Sequence, residues 1–297
     1  MESVSTRYSE NPKMKAHVNG TNIFFEVEGT SLAVAPDSLV EKPVCAVLHG
    51  GPAADHSYFR PHLSPLSEQM QLIYVDHRGT GRSDHVPVET CTIENMADDV
   101  EELRKHLGIG KWIVMGNSFG GMWALTYAVR HPGSLSKLIL IDTAPSYGFW
   151  LDAQQMAEKM ATPQQKAIYK NLFEGRVDTE KEFTAWFDTM MPLYYYNYKE
   201  EFGKQFVSRM KGSFEVARYM WKNVMPKYDL RARLGNISVP TLILEGRHDW
   251  VTPVSQSELL RKGIPNSKMV IFEKSGHLPF VEEPALFLRT VSDFVNS

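Results

Sequence analysis

No apolar run in this sequence approaches the roughly 20 residues that a membrane-spanning helix requires. The opening stretch, Met1 to Glu10, carries no basic segment leading into an apolar one, so nothing there reads as a targeting signal. The expectation is a cytoplasmic protein with no membrane partner. Cysteine is nearly absent. Cys45 lies in an apolar strand pattern and Cys91 in a separate loop, which predicts buried reduced thiols and no disulfide framework. None is needed, because a chain of 297 residues folding as one unit buries roughly 75% of its extended surface. An excess of one charge is missing too. With 32 Lys and Arg against 35 Asp and Glu the net charge is −3, which leaves no basic footprint for nucleic acid. The histidines are scattered, without the i, i+4 pair and carboxylate of a metalloprotease helix, so no metal is expected. Tyr74–Asp84 contains glycines but neither G-x-G-x-x-G nor a phosphate-loop lysine, and no nucleotide cofactor follows from it.

What is present is an alternation of short β-rich runs with helical patterns. Strands are predicted over about 14–18, 22–27, 44–48, 72–76, 112–115, 138–141, 241–244 and 269–272. Helical stretches fall at about 93–107, 119–130, 255–261 and 285–295. Alternation of this kind makes an α/β protein, a mostly parallel eight-stranded sheet with helices on both faces. The charged residues of Glu94–Lys105 read as the solvated face of an amphipathic helix. Between about Ser146 and Tyr228 the alternation fails, and the pattern is helical and rich in Met and aromatics. This predicts residues 1–145 and 229–297 as a core domain and 146–228 as a helical cap inserted over the carboxyl edge of the sheet. Most cap aromatics pack the cap on the core, and some must line the cavity it encloses. Tyr147, Trp150, Trp186 and Tyr195 of the cap, with Trp250, are the candidates for contact with a substrate.

Gly116-Asn117-Ser118-Phe119-Gly120 matches G-x-S-x-G where a predicted strand ends and a helix begins. The glycines on either side relieve the crowding of a tight turn that pushes the serine into the open. A serine hydroxyl is a poor nucleophile at neutral pH, so it needs a base, and the base needs an acid to fix its tautomer. In this motif class the chain order is serine, acid, histidine. Asp249, in the loop after a strand, is the candidate acid, with Asp142 as the alternative. His277, in the loop after the last strand, is the candidate base, with His248 as the alternative. Two donors must stabilise the oxyanion. They are the N–H of Phe119, next to the nucleophile, and that of Gly51 in Leu48-His49-Gly50-Gly51-Pro52-Ala53.

With these motifs in their order and spacing, "HGGPA", "DHRGTGRSD", "GNSFGGMWALTYAVRHP", "GRHDWVTP" and "SGHLPFVEEP", the chain resembles the α/β-hydrolase superfamily and, within it, the proline iminopeptidase group. The resemblance covers nearly the whole chain and implies an α/β-hydrolase fold. It implies Ser118, Asp249 and His277 as the triad and Gly51 with Phe119 as the oxyanion hole, and it matches Asp76, Arg78, Gly79 and Gly81 to a loop that braces the site. Two positions depart from the family. Ala53 stands where H-G-G-P-G is usual, and Trp250 where some members carry an acidic residue. An iminopeptidase must hold a free amino terminus with carboxylates, and Glu174, Asp188, Glu200, Glu201 and Glu215 are the cap's candidates.

The expected function is therefore hydrolysis of an ester or amide bond of a small molecule or short peptide through an acyl-enzyme on Ser118. The resemblance points to an aminopeptidase of the proline iminopeptidase kind. A carboxylesterase or lactonase for an apolar acyl compound is the alternative, and a ligand receptor that keeps the hydrolase pocket is the third reading. An epoxide hydrolase or dehalogenase of similar fold would need aspartate at position 118.

Overall fold

The computed structural model describes residues 14–297. The reading of Met1–Glu10 as free of a targeting pattern lies outside them. Ten strands form: β1 (Lys15–Val18), β2 (Thr21–Glu28), β3 (Leu32–Ala35), β4 (Ser38–Glu41), β5 (Val44–Leu48), β6 (Gln71–Val75), β7 (Trp112–Asn117), β8 (Leu135–Ile141), β9 (Thr241–Gly246) and β10 (Ser267–Phe272). Eight of them make one sheet in the order β1-β2-β6-β5-β7-β8-β9-β10. β2 runs antiparallel to both β1 and β6, and the pairs from β6 through to β10 are parallel. Every residue of β7 is buried, as a central parallel strand covered on both faces requires.

The remaining two strands, β3 and β4, pair only with each other. They escape the sequence reading because they fail its premise. Val34 is 88% exposed and Leu39 65%, so their apolar side chains report no core.

Outside the stretch between β8 and β9, the helices are α1 (Ile93–His106), α2 (Phe119–Arg130), α8 (Val254–Gly263), α9 (Pro279–Glu282) and α10 (Pro284–Val295). Thr92 caps α1 by accepting from the Asn95 N–H at 3.1 Å. The charged face of α1 is less solvated than its pattern predicts. Asp99 is buried and grips the Arg78 guanidinium through Nε at 2.6 Å, and Glu101 is buried against the Tyr127 hydroxyl at 2.8 Å. Charge patterning alone cannot reveal partners supplied by other elements, here the loop after β6 and helix α2.

Between β8 and β9 the described chain forms helices and no strand: α3 (Phe149–Met160), α4 (Pro163–Phe173), α5 (Glu180–Met190), α6 (Glu200–Arg209) and α7 (Phe214–Tyr219). Thr162 and Gln165 close a reciprocal capping box on α4, with Pro163 at its first position. The two ends of this insertion meet. Ser146 bridges Asp229, and the Tyr147 N–H donates to Tyr228 O at 2.8 Å. Among the described residues no helix is long and apolar enough to cross a membrane.

Register sets the working edge of the sheet. Leu48 lies beside Gly116, Asn117 beside Ile141, Ile141 beside Leu244, and Gly246 beside Phe272. The residues that follow these strands therefore emerge together at one carboxyl edge.

Candidate active site

Ser118 occupies the step between β7 and α2 with φ 57° and ψ −122°, a backbone conformation that an L side chain rarely adopts. Such strain costs of order 1–3 kcal/mol and persists only where surroundings impose it. They do so here. The Ser118 N–H donates to Ile141 O at 2.8 Å, and its carbonyl accepts from Thr143 Oγ1 at 2.6 Å. The flanking glycines are obligatory because backbones touch. A Cβ on Gly116 would lie 2.1 Å from Gly120 O, and one on Gly120 would lie 2.1 Å from Leu48 O.

His277 and Asp249 emerge after β10 and β9 and meet at 2.7 Å, imidazole Nδ1 to carboxylate Oδ2. A carboxylate only accepts, so Nδ1 carries the proton and Nε2 is the free ring nitrogen. Asp249 is held in turn by the Val251 N–H at 2.7 Å and the Thr252 hydroxyl at 2.8 Å. Asp142, the alternative acid, lies close by but bonds the Gly246 N–H at 2.7 Å instead of the imidazole. His248, the alternative base, faces elsewhere, with its ring 4.4 Å from that of Tyr196.

Behind Asp249 are two further buried carboxyl groups, Asp142 and Glu245, with one oxygen of each of the three lying within 4.8 Å of the others. Burial and the neighbouring acids push the pKa of both well above the usual carboxylate range. One oxygen on each has no hydrogen-bond partner among the described residues. The sequence reading names Asp142 as an alternative acid but carries no sign of this pairing with Glu245.

The loop after β5 is braced from below. His49 donates from Nδ1 to Gly50 O at 2.9 Å and stacks on His77 at 4.6 Å. Burial lowers the pKa of both rings, that of His77 to about 3, so the pair stays neutral. The Tyr58 hydroxyl accepts from the Gly50 N–H at 2.6 Å and donates to Asn117 Oδ1 at 2.9 Å. Asn117 Nδ2 reaches Ile141 O at 3.3 Å and His277 O at 3.5 Å. The variable position before the serine thus joins the loop after β5 to the histidine loop. Neither the Gly51 nor the Phe119 N–H has a partner among the described residues.

Ser118, His277, Gly51 and Phe119 line one narrow cavity of about 60 Å³. Its other walls are largely apolar, with Met122, Phe149, Phe173, Phe187, Trp221 and Leu278 among them. No Asp or Glu of the described residues lines it. The insertion's candidate amine anchors lie elsewhere, Glu174 against Arg176 at 2.8 Å and Glu200 against Lys204 at 2.6 Å among them.

The aromatics expected to touch substrate do not line this cavity either. Trp250 is fully buried and edge-on to Phe173 and Tyr194, Trp150 stacks on Phe173 at 4.5 Å, and Trp186 packs edge-on to Phe173 while donating to Ile168 O at 3.0 Å. Tyr147 stands edge-on to Phe149 at 5.9 Å, and Tyr195 lines a smaller neighbouring pocket. These rings support the wall while Phe149, Phe173 and Tyr194 form it. Tyr58, absent from the sequence-derived set, lines the cavity and bonds the loop of Gly50.

Comparison with known proteins adds the family. A family model described as alpha/beta hydrolase fold matches residues 44–284. A proline iminopeptidase of Clostridioides difficile (strain 630) is 30% identical over 270 residues, covering 86% of this chain and 90% of that protein. A putative carbamate hydrolase, RutD, of Agrobacterium fabrum (strain C58 / ATCC 33970) is 28% identical over 282 residues, covering 91% and 97%. Among solved structures, an esterase from Exiguobacterium antarcticum superposes with a TM-score of 0.75 at 25% identity, covering 94% of this chain and 97% of that one.

Proposed function

The chain belongs to the α/β-hydrolase family, and we propose that it is a serine hydrolase cleaving esters of small, uncharged, apolar acyl groups through an acyl-enzyme. In this reading Ser118 Oγ attacks the carbonyl and His277 Nε2 takes its proton, then returns it to the leaving group. Asp249 holds the imidazole tautomer and stabilises the imidazolium. The Gly51 and Phe119 N–H groups, free of other partners among the described residues, receive the oxyanion. Water activated by His277 then releases the acid. Residues 146–228 serve as the cap that shuts the acyl group away from solvent.

The observation that carries the choice of substrate is the wall of the cavity, aromatic and aliphatic without a carboxylate. An ammonium group brought there would lose its hydration with no counter-charge in return. An apolar acyl chain would gain about 25 cal/mol for each Å² it buries. The second reading, an N-terminal aminopeptidase, is favoured by the relative named proline iminopeptidase.

The test is kcat/KM for 4-nitrophenyl butyrate against L-prolyl-4-nitroanilide, with Ser118→Ala as the blank. The ester turns over and the prolyl amide does not, and Ser118→Ala removes the activity while leaving the thermal transition in place. Efficient prolyl cleavage would restore the aminopeptidase reading, and equal rates in Ser118→Ala would take Ser118 out of the mechanism.

A further inference from the structure

Glu282, the last residue of α9, has no Lys or Arg within ion-pair distance among the described residues, yet both of its oxygens are engaged. Oε2 accepts from the Gly276 N–H at 2.7 Å and from the Tyr196 N–H at 3.1 Å, and Oε1 accepts from the Asn197 N–H at 2.8 Å. Gly276 immediately precedes the candidate base, whereas Tyr196 and Asn197 belong to the insertion between α5 and α6. One carboxylate therefore ties the histidine loop to Tyr196 and Asn197, which lie 86 and 85 residues before Glu282 in sequence.

The tie continues through the backbone. The His277 N–H donates to Tyr194 O at 2.7 Å, and a Cβ on Gly276 would fall 2.5 Å from that same oxygen. The Tyr194 ring then stands edge-on to the imidazole, centroids 5.3 Å apart, as part of the cavity wall. The next acid, Glu283, is different in kind. It accepts from the Lys274 N–H and the Ser275 hydroxyl, both at 2.8 Å, and so closes the histidine loop on itself without reaching the insertion.

We propose that Glu282 is a positioning residue that couples the seating of the helical insertion to the placement of His277, using the backbone of Tyr194–Asn197 as the strut. A substrate that presses on Tyr194 then presses on the backbone of the base, and an insertion that lifts away releases it. This rests on the reading of His277 as the base, but its structural half can be measured without any substrate.

The experiment is hydrogen–deuterium exchange on the whole protein, wild type and Glu282→Ala, followed in peptides spanning 194–198 and 275–278, together with ester kinetics. Losing hydrogen bonds to a charged acceptor speeds exchange by about ten-fold or more in both peptides at once. In the same variant kcat for 4-nitrophenyl butyrate falls by about ten-fold while KM moves less, since a misplaced base weakens the chemical step and not ground-state binding. Glu282→Gln keeps one oxygen to accept an N–H and restores part of both; it also carries the test if Glu282→Ala does not fold. Glu283→Gln loosens only the histidine-loop peptide. Faster exchange in one peptide with the other unchanged, or both faster with kcat intact, overturns the coupling. Absence of esterase activity in the wild type refutes the proposed function and leaves the exchange result standing.

Discussion

Replacing Tyr58 by Phe removes one oxygen from the hinge between the candidate oxyanion loop and the serine turn. That hydroxyl is the sole partner of the Gly50 N–H among the described residues, at 2.6 Å, and it donates to Asn117 Oδ1 at 2.9 Å. Tyr58 is 8% exposed and Asn117 1%, so both groups are buried. Two buried polar groups lose their partner at about 1–3 kcal/mol each, which gives a destabilisation of about 2–4 kcal/mol if the loop relaxes partly. The same relaxation moves Gly51, the neighbour of Gly50. Deleting an oxyanion donor outright costs roughly 100- to 1,000-fold in kcat, so a displaced donor should cost about ten-fold. KM should hardly change, because the donors act on the tetrahedral state more than on the bound ester. Urea unfolding and steady-state hydrolysis of 4-nitrophenyl butyrate measure the two effects on one preparation. A stability loss of the expected size with kcat within two-fold of wild type would refute the reasoning, leaving Tyr58 as a structural strut with no hold on the chemistry.

The apolar wall and the buried acids each make a claim of their own. Phe173 is buried at 2% exposure and lines the cavity, so Phe173→Ala should destabilise by about 3–5 kcal/mol and leave room for longer chains. The ratio of kcat/KM for 4-nitrophenyl octanoate to that for the butyrate should rise several-fold, and an unchanged ratio would place the acyl group elsewhere. Burial raises the pKa of Glu245 well above the usual carboxylate range, with Asp142 and Asp249 adding to the effect, so its folded pKa exceeds its unfolded one. Its contribution to stability is then full below the ordinary Glu range and lost as pH rises through the folded value, because the unfolded chain gives up the proton first. Glu245→Gln should gain on wild type in urea midpoint between pH 5 and pH 8; a difference that does not vary with pH would mean that Glu245 is ionised in the fold.

The parts of the molecule legible in the sequence are those whose cause is local. Strands such as Val44–Leu48 are buried on both faces and so read as unbroken apolar runs, while β3 and β4 went unread because Val34 and Leu39 face water. The serine turn is legible for a stricter reason. Gly116 and Gly120 meet other backbone atoms at distances no Cβ could occupy, so the geometry must write itself as glycine at fixed offsets from Ser118. Asp249 and His277 are nearly as plain, because parallel register brings the ends of β9 and β10 level and leaves little doubt about which loops can meet.

The cavity wall has no such local cause. Trp150 and Phe173 are both buried aromatics on helices of the insertion, stacked 4.5 Å apart, and only the way α3 and α4 pack decides which ring faces the serine. The sequence reading takes Tyr147, Trp150, Trp186, Tyr195 and Trp250, and the packing places Phe173 in front. Glu282 belongs to the same class: its three donors lie on two segments brought together by tertiary structure alone. The candidate site is thus written in short motifs and the cavity wall in long-range packing. Substitutions that redirect the substrate should accordingly concentrate in the insertion and at its tie to the histidine loop, where a change of one ring or one carboxylate alters the wall without touching Ser118.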